Sequence, residues 1–85
     1  MSVCFFFNNS RKFFEANLLE SVGDALNGMM SLEELYLSEN FIKQIDGVSS
    51  LTNLIILDYS YNQISKLNGI ENLQKLEEFW VLFSK

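Results

Sequence analysis

The chain has no histidine, no proline and a single cysteine in 85 residues. Without histidine it lacks the commonest general base and the commonest metal ligand. With Cys4 alone it forms no internal disulfide, which fits a reducing compartment. Long apolar runs are missing too. The two longest, Val3 to Phe7 and Phe79 to Phe83, hold five residues each, whereas a helix that spans a bilayer needs about 20. Val3 to Phe7 is also too short for a signal-peptide core, and no basic residue precedes it. Positive charge is scarce: six basic residues stand against eleven acidic ones, for a formal net charge of −5. Such a chain repels phosphate backbones. The expectations are no membrane, no nucleic acid, no metal and no cofactor, with an intracellular location, nuclear or cytoplasmic. An acidic surface favours a basic partner, although most small acidic proteins are simply soluble.

What is present is a folded-protein balance of 48% hydrophobic and 20% charged residues. The length allows one small domain. A chain this short buries only roughly 60–65% of its unfolded surface, so marginal stability is expected.

An internal repeat organises most of that domain. Leu32, Leu54 and Leu76 fall 22 residues apart (54 − 32 and 76 − 54), and their neighbours fall into line. Leu35 aligns with Leu57 and Phe79, and Leu37 with Tyr59 and Val81. Asn40 meets Asn62, Ile42 meets Ile64, and Ile45 meets Leu67. Gly47, Val48 and Leu51 meet Gly69, Ile70 and Leu73. The consensus L-x-x-L-x-L-x-x-N-x-I-x-x-I-x-G-[VI]-x-x-L-x-x is the leucine-rich-repeat signature in its 22-residue form. An amphipathic helix does not fit, because the apolar spacing drops to two at Leu35–Leu37 and Leu57–Tyr59, the period of a strand.

The pattern predicts one short parallel strand per repeat, near Glu33–Leu37, Ile55–Tyr59 and Glu77–Val81, stacked coil on coil. Leu35, Leu37 and their equivalents point inward. Asn40 and Asn62 form a structural asparagine ladder, satisfying backbone groups where the chain leaves each strand, including those of the adjacent coil. Ile42, Ile45, Val48 and Leu51 fill the core from the convex side. Gly47 and Gly69 occupy a tight turn that calls for positive φ. A 3₁₀ turn or single-turn helix is expected near 48–53 and 70–74.

The pattern fades at both ends. Leu26 matches Val48 and Met29 matches Leu51, but Leu18 occupies the asparagine position and Glu20 an isoleucine position. The chain divides into an N-terminal segment, 1–25, and repeats over 26–85, two full and one partial at each end. Residues 10–31 carry a helical face in Phe13, Phe14, Asn17, Leu18 and Val22 or Leu19, with Ser10 as cap. They are expected either to cover the open end of the solenoid or to be an extension foreign to it. The expected fold class is α/β: a leucine-rich-repeat solenoid fragment with short parallel strands on its concave face and an N-terminal helix. Ser84 stands where a third asparagine belongs, and no closing coil is expected after it. Phe79 to Phe83 is then an uncapped edge open to self-association.

Strand residues between the framework positions point outward. They form two rows, Glu34–Ile56–Glu78 and Tyr36–Asp58–Trp80. Carboxylates at such positions are ordinary. An outward tryptophan leaves apolar surface to be covered, and tryptophan is enriched at interaction hot spots. Glu34, Tyr36, Asp58, Glu78 and Trp80 are therefore the candidate partner-binding residues. No catalytic residue is expected: there is no phosphate loop, metal cluster or nucleophile–base pair, and no pocket surrounds Asp58 and Glu78. Cys4 has no histidine partner.

The stretch from Leu32 to Trp80 resembles the leucine-rich-repeat regulatory subunit 7 family of protein phosphatase 1. The resemblance rests on LEELYLSEN at 32–40, LTNLIILDYSYNQISKL at 51–67 and LEEFW at 76–80, and covers 49 of the 85 residues (80 − 32 + 1). The first two segments are common to many 22-residue repeats. LEEFW is more specific, since that family carries Glu-Phe-Trp in a late repeat. The resemblance implies a non-catalytic regulator whose concave face grips the phosphatase catalytic subunit through acidic and aromatic side chains. By position Asp58, Glu78 and Trp80 match three of those contacts; Glu34 and Tyr36 match less specifically. The family has more repeats and a C-terminal cap, so a truncated version is expected to bind more weakly. LESVGDAL at 19–26 is similar to a segment of axonemal dynein light chains. A cytoskeletal adaptor is thus the alternative reading, as is a truncated product without independent function.

Overall fold

The computed structural model describes residues 5–8, 11–13, 19–24 and 26–82. Cys4, Ser84 and the middle of the expected helix, residues 14–18, lie outside them. Five short strands make one sheet in chain order: β1 (Phe5–Asn8), β2 (Arg11–Phe13), β3 (Glu34–Tyr36), β4 (Ile56–Asp58) and β5 (Glu78–Trp80). β1 runs antiparallel to β2, and every later neighbour is parallel.

The 22-residue period appears directly in the register. Leu35 pairs with Leu57 and Leu57 with Phe79. Regular pairing is shorter than expected by one residue at each strand end, but bonding continues past it. Ile55 N–H donates to the Glu33 carbonyl at 2.7 Å, and Leu37 N–H to that of Asp58 at 2.8 Å. Successive side chains alternate across a strand. Leu35 and Leu57, flanked by half-buried neighbours, therefore lie fully buried.

The expected 3₁₀ segment is instead a pair of consecutive tight turns, repeated coil by coil. Leu51 N–H reaches the Val48 carbonyl and Leu54 N–H that of Leu51; Leu26, Met29 and Leu32 do the same one coil earlier, and Ile70, Leu73 and Leu76 one coil later. Each turn drops an apolar residue inward every third position, so Val48, Leu51 and Leu54 are completely buried. Burying such a side chain contributes about 1.5–3 kcal/mol.

No helix occurs among the described residues. Arg11–Phe13 form a strand, and 19–24 and 26–31 run through turns and bends. The helical spacing loses to bonds made with the following coil. Phe41 N–H donates to the Leu19 carbonyl at 2.7 Å, Leu19 N–H to Asn40 Oδ1 at 3.3 Å, and Val22 N–H to Asp46 Oδ1 at 3.4 Å. Val22 and Leu26 are buried against that coil. Residues 19–24 and Leu26 therefore cover one side of the core as a strap.

Burial then thins along the chain. Leu57 and Tyr59 are fully buried, while their equivalents Phe79 and Val81 are only partly covered; Ile45 is 7% exposed and its equivalent Leu67 is 60% exposed. Each coil seals the one before it, and among the described residues none lies over the coil of β5.

Candidate functional site

The outward face of the sheet is built by the same alternation. With Leu35, Leu57 and Phe79 turned to the core, the parallel register places Glu34, Ile56 and Glu78 in one row and Tyr36, Asp58 and Trp80 in the next. Neighbouring strands lie about 4.8 Å apart, so Tyr36 and Trp80 rise from backbones roughly 10 Å apart with Asp58 between them. An open groove of about 380 Å³ runs along this face; Tyr36, Ile56, Asp58, Glu78 and Trp80 line it, with Ser60, Tyr61 and Leu82 at its margin. The five candidate residues thus share one surface, although Glu34 stands outside the groove lining. Trp80 is 47% exposed, which leaves much of its indole uncovered.

The three strand carboxylates on this face are each held by a neighbour. Glu34 uses both oxygens: the Tyr36 hydroxyl donates to Oε1 at 2.7 Å, and Arg11 Nε lies 3.2 Å from Oε2. Asp58 Oδ1 accepts the Ser60 N–H at 2.8 Å, and Glu78 Oε1 accepts the Trp80 indole N–H at 3.2 Å. Asp58 Oδ2 and Glu78 Oε2 have no bond among the described residues. The acidic character of the groove comes from Glu39, Asp58 and Glu78, whereas Arg11 offsets the charge of Glu34. Burial above all, then the hydrogen bond to Glu34 and its negative charge, push the Tyr36 phenol up to about 12.

Arg11 and Tyr61 are the contributors that the repeat pattern does not reveal. Tyr61 and its equivalent Glu39 hold left-handed backbones, with φ of 61° and 59°. This conformation costs a non-glycine residue roughly 1–2 kcal/mol. It swings the following asparagine inward and carries Tyr61 to the groove margin. Asn62 then donates to the carbonyls of Tyr59 and Ser60 in its own coil and of Leu37 in the previous one, while its Oδ1 accepts the Ile42 N–H at 2.9 Å. Asn40 donates to the carbonyls of Leu37 and Ser38. These bonds brace the turn on which the groove margin sits.

Among the described residues no group of three histidine, cysteine, aspartate or glutamate side chains is placed to hold a metal. No described helix is long and apolar enough to cross a membrane. An open groove does not exclude water, and it suits a surface contact better than an enclosed reaction.

No protein-family model matches the chain, and no solved structure matches it. A curated relative does. The protein phosphatase 1 regulatory inhibitor subunit PPP1R7 homolog of Arabidopsis thaliana is 48% identical over 69 residues, which make up 81% of this chain and 20% of that protein. The chain therefore spans about a fifth of the length of the relative to which it is similar.

Proposed function

We propose that the chain is a non-catalytic leucine-rich-repeat module of the protein phosphatase 1 regulatory-subunit type, binding the phosphatase catalytic subunit through the outward, concave face of its sheet. The observation that carries this reading is the row Tyr36–Asp58–Trp80: two aromatics flank a carboxylate that keeps one oxygen without a bond among the described residues, and the indole of Trp80 is half exposed. The similarity to the Arabidopsis regulatory inhibitor subunit homolog supports the same direction. Exposed aromatic surface is stabilised when a partner covers it, and carboxylates beside it select basic groups on that partner.

The test is calorimetric titration of the chain into the phosphatase 1 catalytic subunit, with Trp80→Ala beside it and the melting of both recorded. Truncating a hot-spot tryptophan costs about 2 kcal/mol or more, or roughly thirtyfold in Kd. The expected result is binding that Trp80→Ala weakens by that factor while its melt is unchanged. A chain that melts cooperatively and does not bind the phosphatase refutes the reading.

A further inference from the structure

The outward face carries the same small arrangement on two of its strands. On β3 the Tyr36 hydroxyl donates to Glu34 Oε1 at 2.7 Å; on β5 the Trp80 indole N–H donates to Glu78 Oε1 at 3.2 Å. In each, an aromatic side chain two residues along, and so on the same face, fixes one oxygen of a carboxylate. The repeat does not demand this pairing, because β4 carries Ile56 and Asp58 at the two places.

The two copies differ at the second oxygen. Arg11 stands directly across from Glu34 in the register of β2 and β3, and its Nε lies 3.2 Å from Glu34 Oε2. The chain itself thus sets an arginine on the first carboxylate–aromatic pair. Glu78 Oε2 has no bond among the described residues, and across from it on β4 stands the uncharged Ile56. Asp58 pairs with Trp80 in register and spends Oδ1 on the Ser60 N–H, which leaves Oδ2 without a bond among the described residues. With strands about 4.8 Å apart and a rise of about 3.3 Å per residue, Asp58 and Glu78 spring from backbones roughly 8 Å apart, with Trp80 beside both. Tyr36 is half-buried, whereas Trp80 is 47% exposed.

We propose that the corner formed by Glu78, Trp80 and Asp58 takes the guanidinium of a partner's arginine, a role that rests on the reading of this face as the binding surface. The shape of the group decides between the two basic side chains. A guanidinium is planar, with its donors in the plane and its faces free, so it can lie on the exposed indole while its edges reach the carboxylates. Its five N–H groups serve two acceptors that point from different strands. An ammonium is a compact, strongly hydrated point charge that makes no such stack. General attraction to an acidic chain acts on both alike, so a preference for arginine is the mark of this corner. Its groups are exposed to water, and a single free side chain should bind weakly.

Trp80 is the only tryptophan in the chain, so one indole N–H resonance reports the corner. The experiment follows that resonance by NMR while acetyl-arginine amide is titrated into the chain at fixed ionic strength, and repeats the titration with acetyl-lysine amide. A saturable shift is expected, with half-saturation at a concentration at least about threefold lower for the arginine amide. Glu78→Gln still accepts the indole N–H and lacks the charge; with its melt unchanged, it should lose that preference. Equal half-saturation for the two amides, or a preference that Glu78→Gln retains, overturns the proposal. The phosphatase titration reads separately. Trp80-dependent phosphatase binding without an arginine preference removes this site and leaves the proposed function standing. An arginine preference in a chain that does not bind the phosphatase keeps the site and refutes the proposed function.

Discussion

Asn62 donates its side-chain amide to the carbonyl oxygen of Leu37, 25 residues earlier in the chain, at 2.7 Å. That bond, with the one its Oδ1 accepts from Ile42 N–H, ties one coil to the next at a point water does not reach. Asn40 still serves the Leu37 carbonyl in Asn62→Ala, but the buried Tyr59 carbonyl and the Ile42 N–H are left short of partners, each costing about 1–3 kcal/mol. A loss of about 2–4 kcal/mol is expected on urea denaturation. Asn40→Ala should cost less, because Asn62 still serves the Leu37 carbonyl. The reverse order would show that the inter-coil bond is not what matters.

Gly47 is a second tie between segments. Its φ is 71°, and a Cβ there would overlap the carbonyl oxygen of Gly23. Gly28, with φ of 81° and no neighbour within 4 Å of its Cβ position among the described residues, separates the two effects. Gly28→Ala should cost only the left-handed penalty, about 1–2 kcal/mol. Gly47→Ala adds displacement of backbone and should cost clearly more in the same denaturation experiment. Equal costs would mean that the strap over 19–24 yields freely.

These ties also mark what the sequence conveys and what it leaves out. The strand positions, the inward sets and the two outward rows follow from a period of 22 joined to strand alternation. Asp58 and Trp80 therefore fall on one face by the sequence alone. Arg11 does not, because β2 joins β3 at an offset of 23 (34 − 11), one residue out of the repeat. The left-handed Glu39 and Tyr61 leave no trace either, since glycine or asparagine is the residue type that announces such a backbone. Where residues of the expected helix are described, at 19–24 and 26–31, the helical spacing does not hold for a different reason. Leu19 and Val22 spend their backbone N–H groups on Asn40 and Asp46, side chains that lie in the next coil.

Tyr59 is the core residue whose chemistry fits its place least. It is fully buried where the previous coil carries Leu37, and its hydroxyl makes no hydrogen bond among the described residues. An unpaired buried hydroxyl costs roughly 1–3 kcal/mol. Tyr59→Phe keeps the ring and removes that cost, so stability should be unchanged or rise by about 1 kcal/mol at neutral pH. A marked loss in the denaturation midpoint would reveal a polar partner for the hydroxyl.

Tyr36 sets the behaviour in alkali. Its phenol, raised to about 12 by burial and by Glu34, holds its proton in the folded chain after an unfolded tyrosine, near 10, has lost it. Burial first, then the charge of Asp46, shifts Tyr59 in the same direction. Because the folded values lie above the unfolded one, both contributions are complete below about pH 10 and are lost as pH climbs from there through the folded values. The denaturation midpoint should therefore be insensitive to these phenols near neutrality and fall steeply in the alkaline range. Tyr36→Phe should flatten the part of that fall that ends near pH 12, at the cost of the hydrogen bond to Glu34 at all pH values. Arg11→Ala removes a positive charge that favours the Tyr36 phenolate, so it should move the absorbance titration of that phenol still higher. A Tyr36→Phe chain whose alkaline slope matches the parent would mean that Tyr36 ionises alike in the folded and unfolded states.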